Sequence, residues 1–537
     1  MLKAILAGAR YVVTLLVATA FSGIANLAAV RLAWANESLA VVLPTALGSE
    51  GSGRVLVFAQ PLTPGQKSGD IDASVLAPTA VEVAGQDVQS FGAKHRITVD
   101  LDREATPKPF SDLSAGEYRI QVVLDPDGDY GRYGRDPGDM VSKVTTVRLP
   151  LPADFAVTLD RVVPQTDPWN SPGGSPQERA RSAATRAQLT DFAIESPTLS
   201  SYFGRRISMQ AWVLVPKGYA PSTSMTWPVV YVLGVGSSNY AQNLALASLV
   251  AQMTSAPNVP QMIWVFLNYS TIAGTTEFVD SVNNGPWETA LMQEMIPALE
   301  KRFRMDARSS GRFLTGHSSG GWASLWLQVR HPDFFAGAWA TAPDPVDFHD
   351  FVGVDLYAPG ANMYFDADHH PRPLVREHGR VLGSLRDWVR LEEVLGHLGG
   401  TFQSFDWVFS PRAPDGSAMP MFNRVTGAVD PAVATYWEAH YDIARQIENV
   451  ANGTTRHALA GKLHVTVGDQ DTFYLNGAVE KLRAVLQSVG IPATIRILPG
   501  KTHNDLYGPR EDPLALLRAA ARDMYAIARP ARATTPK

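Results

Sequence analysis

The stretch that most limits the fold is residues 311–322, GRFLTGHSSGGW. Within it, Gly316-His317-Ser318-Ser319-Gly320 fits the pattern G-x-S-x-G. The pattern alone arises easily by chance in a glycine-rich chain, so its surroundings decide. A strand-like run, Arg312–Thr315, comes before it, and an apolar helix-like run, Ala323–Val329, follows. A serine on a sharp turn between a strand and a helix is what a nucleophile elbow requires. The glycines keep side chains out of that turn and leave the Ser318 hydroxyl exposed. The Ser319 backbone N–H then stands at a helix start, where a developing oxyanion is stabilised. The plain alternative is a serine capping a helix in a glycine-rich turn. Ser319 itself has the wrong spacing for the motif.

From about residue 195 onward, strand-like runs alternate with helical ones. The strand candidates are Met209–Leu214, Val229–Leu233, Met262–Leu267, Arg312–Thr315, Ala336–Ala340, His464–Val467 and Thr494–Leu498. Helical candidates are Glu288–Phe303, Ser319–Val329 and Ala478–Val489. Such alternation predicts parallel β-α-β units in one sheet. It stops between Pro345 and Leu463, where a helical segment around Leu374–Leu398 sits among Trp-, Phe- and Pro-rich loops. A structureless loop that long is uncommon, so 346–460 reads as a cap-like insertion. Upstream, residues 36–160 hold the short apolar runs Arg54–Ala59, His95–Val99, Glu117–Leu124 and Val144–Leu149 between Gly/Pro/Asp clusters. That spacing predicts a small β-sandwich. Residues 161–200 read as a linker. The expected architecture is α/β: a catalytic domain in two parts, 201–345 and 461–530, split by the cap and preceded by the β domain.

Composition narrows the chemistry. Lys and Arg number 47 and Asp and Glu 52, a net charge of −5 with no long block of either sign. A basic footprint for nucleic acid is therefore absent. There is no cysteine, which excludes thiol catalysis, disulfides and cysteine-ligated metal sites. At the amino terminus Lys3 and Arg10 precede Tyr11–Val30, a run without charge, and Ala33-Trp34-Ala35 follows Arg31. This reads as an export signal over residues 1–35. If retained, the same run is long enough to anchor the chain in a membrane. A secreted or periplasmic location is expected.

A serine hydroxyl needs a neighbouring imidazole base, and the imidazole needs a carboxylate to orient it. On this kind of sheet the order is Ser, then acid, then His. His464-Val-Thr-Val-Gly-Asp469-Gln-Asp471 supplies a strand and then two aspartates, and Thr494–Leu498 leads to His503. Parallel strands bring both loops to the sheet edge that holds the elbow. Asp471 is preferred, with Asp469 the alternative as acid or as a turn former. A second oxyanion donor is expected after Val229–Leu233, at the Val235 N–H in Gly234-Val235-Gly236. An ordinary glycine turn is the other reading there.

Other residues are weaker candidates. Asn283, Asn284 and Trp287 precede a helix near the same edge, and His317 adjoins the serine; all four are candidates for substrate contact, and a helix-entry turn serves equally well for the first three. Asp344-Pro-Val-Asp347-Phe-His349 reads more as a polar turn than as a substrate contact. Asp366-Ala-Asp368-His369-His370 groups ligand-type residues, but nothing marks distant partners for a metal. Asp125-Pro-Asp127-Gly-Asp129 fits a β-turn better than a calcium loop, since Tyr130 stands where that loop needs glycine. Phe402, Trp407, Tyr436 and Trp437 pack a cap core or form an aromatic wall.

At PVVYVLGVG (228–236), PWETALMQEMIPALEKRFR (286–304), RFLTGHSSGGWASLWL (312–327), VGDQDTF (467–473) and LPGKTH (498–503), the chain resembles the putative-esterase family of α/β-hydrolases. That family includes S-formylglutathione hydrolases, feruloyl esterases and enterochelin esterases. The family's G-x-x-D-x-F pattern falls on Gly468, Asp471 and Phe473. Leu233-Gly234 stands where many members carry His-Gly. Together these readings predict an exported serine hydrolase that cleaves a carboxylic ester without a cofactor or metal, its substrate expected to be a small-molecule or carbohydrate-linked ester; the large insertion keeps the family's substrates from being carried over. Ser318, His503 and Asp471 would form the triad, with Ser319 and Val235 as oxyanion donors. Two rivals stand beside it: an acyltransferase using the same triad, with a sugar or lipid alcohol as acceptor, and a glycan-binding protein without turnover.

Overall fold

The computed structural model describes residues 37–530 apart from 48–50, 64, 66–68, 93–94, 166–168, 170–174, 223, 236–239, 451–452 and 510–511. The proposed export signal lies outside these residues. Among the described residues no helix is long and apolar enough to cross a membrane. The chain forms two compact units. One comprises the described residues of 37–73, 81–126 and 140–161; the other comprises those of 74–80, 127–139 and 162–530.

The first unit is built of strands. Gly53–Pro61 lies between Glu82–Val88 and Gly116–Asp125, antiparallel to both. Side chains alternate across a strand. Val55, Val57 and Ala59 accordingly meet Ile120, Val122 and Leu124 in one core. Among the described residues eight strands follow one hydrogen-bonded path and a ninth, Thr145–Leu149, pairs with Gly116–Asp125 off that path; the four predicted runs each overlap a strand.

The second unit carries an eight-stranded sheet. Its strands are β1 (Leu189–Glu195), β2 (Ser208–Leu214), β3 (Val229–Val235), β4 (Ile263–Leu267), β5 (Arg312–His317), β6 (Gly337–Thr341), β7 (Leu463–Gly468) and β8 (Thr494–Leu498). The spatial order is β1-β2-β4-β3-β5-β6-β7-β8. The first two pairings are antiparallel and the rest parallel. Strands buried on both faces read as continuous apolar runs, as Ile263–Leu267 does, with all five residues buried. Helices α1 (Tyr240–Thr254), α2 (Ser319–Arg330), α3 (Asn476–Ser488) and α4 (Ala515–Ala528) are among those that follow these strands. This order, with a serine turn after β5, is the α/β-hydrolase fold.

Three expectations need correction. β1 lies in the stretch read as linker; it is an edge strand whose Phe192 and Ile194 pack on the core while Glu195 is exposed. The predicted Glu288–Phe303 helix contains a π turn, Leu291–Met295. Pro297 follows it, and a proline ring clashes with the carbonyl four residues back, here Gln293 inside the wider turn. The supposed helix around Leu374–Leu398 begins as a hairpin, Pro373–Glu377 with Arg380–Ser384. Its turn holds His378 at φ 45° and Gly379 at φ 82°, as a tight hairpin requires. The helix proper, Leu385–Leu395, starts at Ser384, whose hydroxyl and Asp387 form a reciprocal cap.

Candidate active site

Ser318 caps α2 with φ 56° and ψ −123°. A non-glycine residue there is strained by about 1–3 kcal/mol. The turn persists because its neighbours lack side chains. A Cβ on Gly316 would fall 2.1 Å from the Gly320 carbonyl oxygen, and one on Gly320 would fall 2.4 Å from that of Gly234. Helix α2 can therefore press its first turn against the end of β3. The first-turn N–H groups of a helix have no intrahelical acceptor, so those of Ser319 and Gly320 are donors beside the Ser318 hydroxyl. The Ser318 N–H is already used on the Thr341 carbonyl, at 3.0 Å. Val235 ends β3 and pairs with His317 on β5, while Gly236 lies outside the described residues.

His503 and Asp471 come from the loops after β8 and β7. His503 Nδ1 is 2.9 Å from Asp471 Oδ2. Both side chains are buried. The other carboxylate oxygen of Asp471 accepts the N–H groups of Phe473 and Leu475, at 2.9 and 3.2 Å. Three donors thus hold the carboxylate in place. Asp469 faces elsewhere: its Oδ1 accepts the Gly500 N–H at 2.7 Å and ties the two loops together. Ser318, Ser319, His317 and His503 all line one cavity of about 420 Å³.

The sequence of residues 200–504, more than half the chain, matches the family model described as putative esterase. The chain belongs to that family. It is a carboxylic-ester hydrolase. No curated protein sequence matches it. Among solved structures, a ferulic acid esterase is 14% identical, covering 64% of this chain and 98% of its own, with a TM-score of 0.40. An S-formylglutathione hydrolase from Agrobacterium tumefaciens is 14% identical, covering 63% and 94%, with a TM-score of 0.35. A ferulic acid esterase from Anaeromyces mucronatus is 14% identical, covering 63% and 89%, with a TM-score of 0.34.

The esterase holds its serine in a network that sequence reasoning missed. Ser318 Oγ donates to Asp344 Oδ1 at 2.9 Å, and Ser319 Oγ to Asp344 Oδ2 at 2.7 Å. Burial pushes the Asp344 pKa up, against the two serine hydroxyls. Glu277, also buried, is pushed well above its ordinary 4.5 by burial first and then by Asp344. Its Oε1 accepts the Thr275 hydroxyl at 2.7 Å. His317 is held neutral, well below 6.5, by burial and then by His503; its ring centre lies 4.4 Å from that of His503. Arg376 of the cap hairpin donates to the carbonyls of Asp471 and Asp469, at 2.8 and 3.1 Å, so the cap braces the acid loop.

Several candidates lie elsewhere. Asn283, Asn284 and Trp287 are not in the cavity lining. Their polar groups hold the structure around them: Asn283 Nδ2 donates to the distant Ser410 carbonyl at 2.7 Å, Asn284 Nδ2 to that of Thr275 at 2.8 Å, and Trp287 Nε1 to that of Asn284 at 2.6 Å. Asp366 accepts the N–H groups of Asp368 and His370, at 2.9 and 2.8 Å, in a surface turn. Asp127, Asp129 and Asp136 each bring one oxygen within 4.8 Å of the others; acidic groups cluster this way without an ion too. Of the cap aromatics, Trp437 is fully buried, with Nε1 donating to Ser410 Oγ at 2.9 Å. Phe402 belongs to the cavity wall, with Phe405 and Trp388.

Proposed function

We propose that this esterase works through an acyl-enzyme formed on Ser318, with His503 as base and Asp471 orienting it. The observation that carries this reading is the 2.9 Å His503–Asp471 pair, whose His503 lines the same cavity as Ser318. With Nδ1 held by Asp471, Nε2 is left to accept the Ser318 proton. Ser318 Oγ turns from Asp344 to His503 and bonds to the ester carbonyl carbon. The oxygen of the tetrahedral adduct takes hydrogen bonds from first-turn N–H groups of α2, that of Ser319 foremost, with Val235 as the second donor. Their alignment with the helix axis favours the negative charge. The adduct expels the alcohol, which leaves with the proton from His503. Water then adds to the acyl-enzyme by the same route and frees the acid and Ser318. We further propose export, on the charge and cleavage pattern of residues 1–35.

The test is labelling of the purified protein with a fluorophosphonate probe, with peptide mass spectrometry of the adduct and a p-nitrophenyl acetate assay beside it. An adduct on Ser318, and loss of both signals in Ser318→Ala, is the expected result. Full esterase activity in Ser318→Ala would sink the mechanism. Transfer of the acyl group to an added alcohol, in preference to water, would instead favour the transferase.

A further inference from the structure

The cavity that holds Ser318 contains a second charged side chain that the mechanism does not use. Arg132, from the short helical turn Tyr130–Tyr133, lines it and is only 7% exposed. Its seat is tight. A Cβ on Gly399 would fall 2.4 Å from the Arg132 Cβ, and one on Gly131 would fall 2.7 Å from the Leu398 carbonyl oxygen. The cap segment 398–400 thus fits against this turn through two positions that tolerate no side chain.

Buried charges in proteins are ordinarily paired. Arg132 has no carboxylate in ion-pair contact among the described residues. Its Nε and one Nη donate to the neutral Ser270 hydroxyl, at 3.2 and 2.9 Å, and the Tyr133 hydroxyl is 3.3 Å from the same oxygen. Glu277 attracts the guanidinium only at longer range, and burial holds that carboxyl toward its neutral form. A guanidinium does not deprotonate to escape this position. Buried, locked along one edge and short of a counter-charge, it faces the space a ligand would fill. The rest of the wall is largely apolar, with Phe402, Phe405, Trp388, Leu374 and Val352.

We propose that Arg132 recognises a carboxylate carried by the ester substrate, on an apolar body seated against Phe402, Phe405 and Trp388. The inference rests on Ser318 being the nucleophile. It makes the esterase selective for esters with an anionic group away from the scissile carbonyl. A guanidinium matches a carboxylate with two parallel hydrogen bonds, so selectivity comes from charge and shape together.

The test compares matched esters. One pair places the charge on the acyl side: the p-nitrophenyl half-esters of glutaric and adipic acids against uncharged p-nitrophenyl hexanoate. The other places it on the alcohol side: 4-acetoxybenzoate against 4-acetoxybenzamide. The wild-type enzyme should favour the charged member of at least one pair by about tenfold or more in kcat/KM, the scale of a charged hydrogen bond. Arg132→Gln should erase that preference, lowering kcat/KM for the charged ester by about tenfold or more relative to its neutral partner. Ser270→Ala, which frees one edge of the guanidinium, should weaken it, and serves if Arg132→Gln does not fold. No preference in wild type, or a preference that survives both substitutions, overturns the proposal. If no ester is hydrolysed and Ser318 takes up no fluorophosphonate, the serine mechanism has failed, and the Arg132 proposal falls with it.

Discussion

Ser318 Oγ donates to Asp344 Oδ1 at 2.9 Å, so the hydroxyl proposed to attack the ester rests on a buried carboxyl. The other oxygen of that carboxyl holds Ser319. An ionised acceptor makes the stronger hydrogen bond. Asp344 in its charged form therefore competes with His503 for the Ser318 proton and stands beside the developing oxyanion. Asn in its place accepts more weakly and carries no charge. Since burial raises the Asp344 pKa, its charge appears late as pH rises. The ratio of kcat/KM for Asp344→Asn to wild type should accordingly climb with pH, by about threefold or more. A pH series with one neutral ester measures it. A variant more than tenfold slower at every pH would make Asp344 a required group instead.

Asp471→Asn keeps the shape of the acid but loses the charge that selects the His503 tautomer. By analogy with other triads the rate should fall by about 10³–10⁴, with fluorophosphonate uptake slowed in parallel. Asp469→Asn should cost far less, because Asp469 joins backbone to backbone at Gly500. Equal losses in the two variants would leave no special role for Asp471.

Gly320→Ala sets a methyl group 2.4 Å from the Gly234 carbonyl oxygen and 2.8 Å from that of Leu233. Both are backbone atoms of a central strand and cannot step aside. The variant should lose about 1–3 kcal/mol or more in a denaturant titration, and lose activity as the elbow opens. Gly453→Ala, where the added carbon meets nothing within 4 Å, is the matched control and should change stability little. Similar midpoints for the two would mean that the close packing of α2 on β3 carries no weight.

Glu277→Gln should alter the pH dependence of stability. The folded-state pKa of Glu277 is raised by burial well above 4.5. Folding therefore takes up a proton wherever the unfolded chain has lost it. The neutral carboxyl stabilises the fold fully below about pH 4.5. That contribution is lost as pH rises toward and through the raised value. Gln stays neutral, so the variant should lose less Tm than wild type between pH 5 and 8, on the order of a few degrees. Parallel Tm curves would show that Glu277 folds already ionised.

Much of the sheet is legible before folding. Buried parallel strands leave no polar alternation, so runs such as Ile263–Leu267 and Val229–Val235 announce themselves. The edge strand β1 is half exposed and mixes Asp191 with Phe192, which is why it passes for linker. The hairpin before Leu385 is hidden by long side chains that suit either state, and the turn at His378-Gly379 is its only mark. Asn283 and Asn284 sit in a loop near the site and look chemical, yet their partners are Ser410 and Thr275. Sequence spacing carries no information on such pairs.

The amino-acid sequence by itself determined the alternation that makes the sheet, the strand-to-helix turn at Ser318, and the order of serine, acid and histidine along the chain. These are local matters, because a turn that admits no Cβ at 316, where Gly320 lies against it, and a run of apolar residues impose their geometry on the nearest few residues. Only the tertiary structure decided that Asp471 faces His503 while Asp469 faces Gly500. It also decided that Asp344 holds Ser318 and that Arg132 reaches the same cavity. Those contacts join residues far apart in the chain. Their energies depend on burial and on what lies across the cavity, and neither exists until the sheet and the cap have packed.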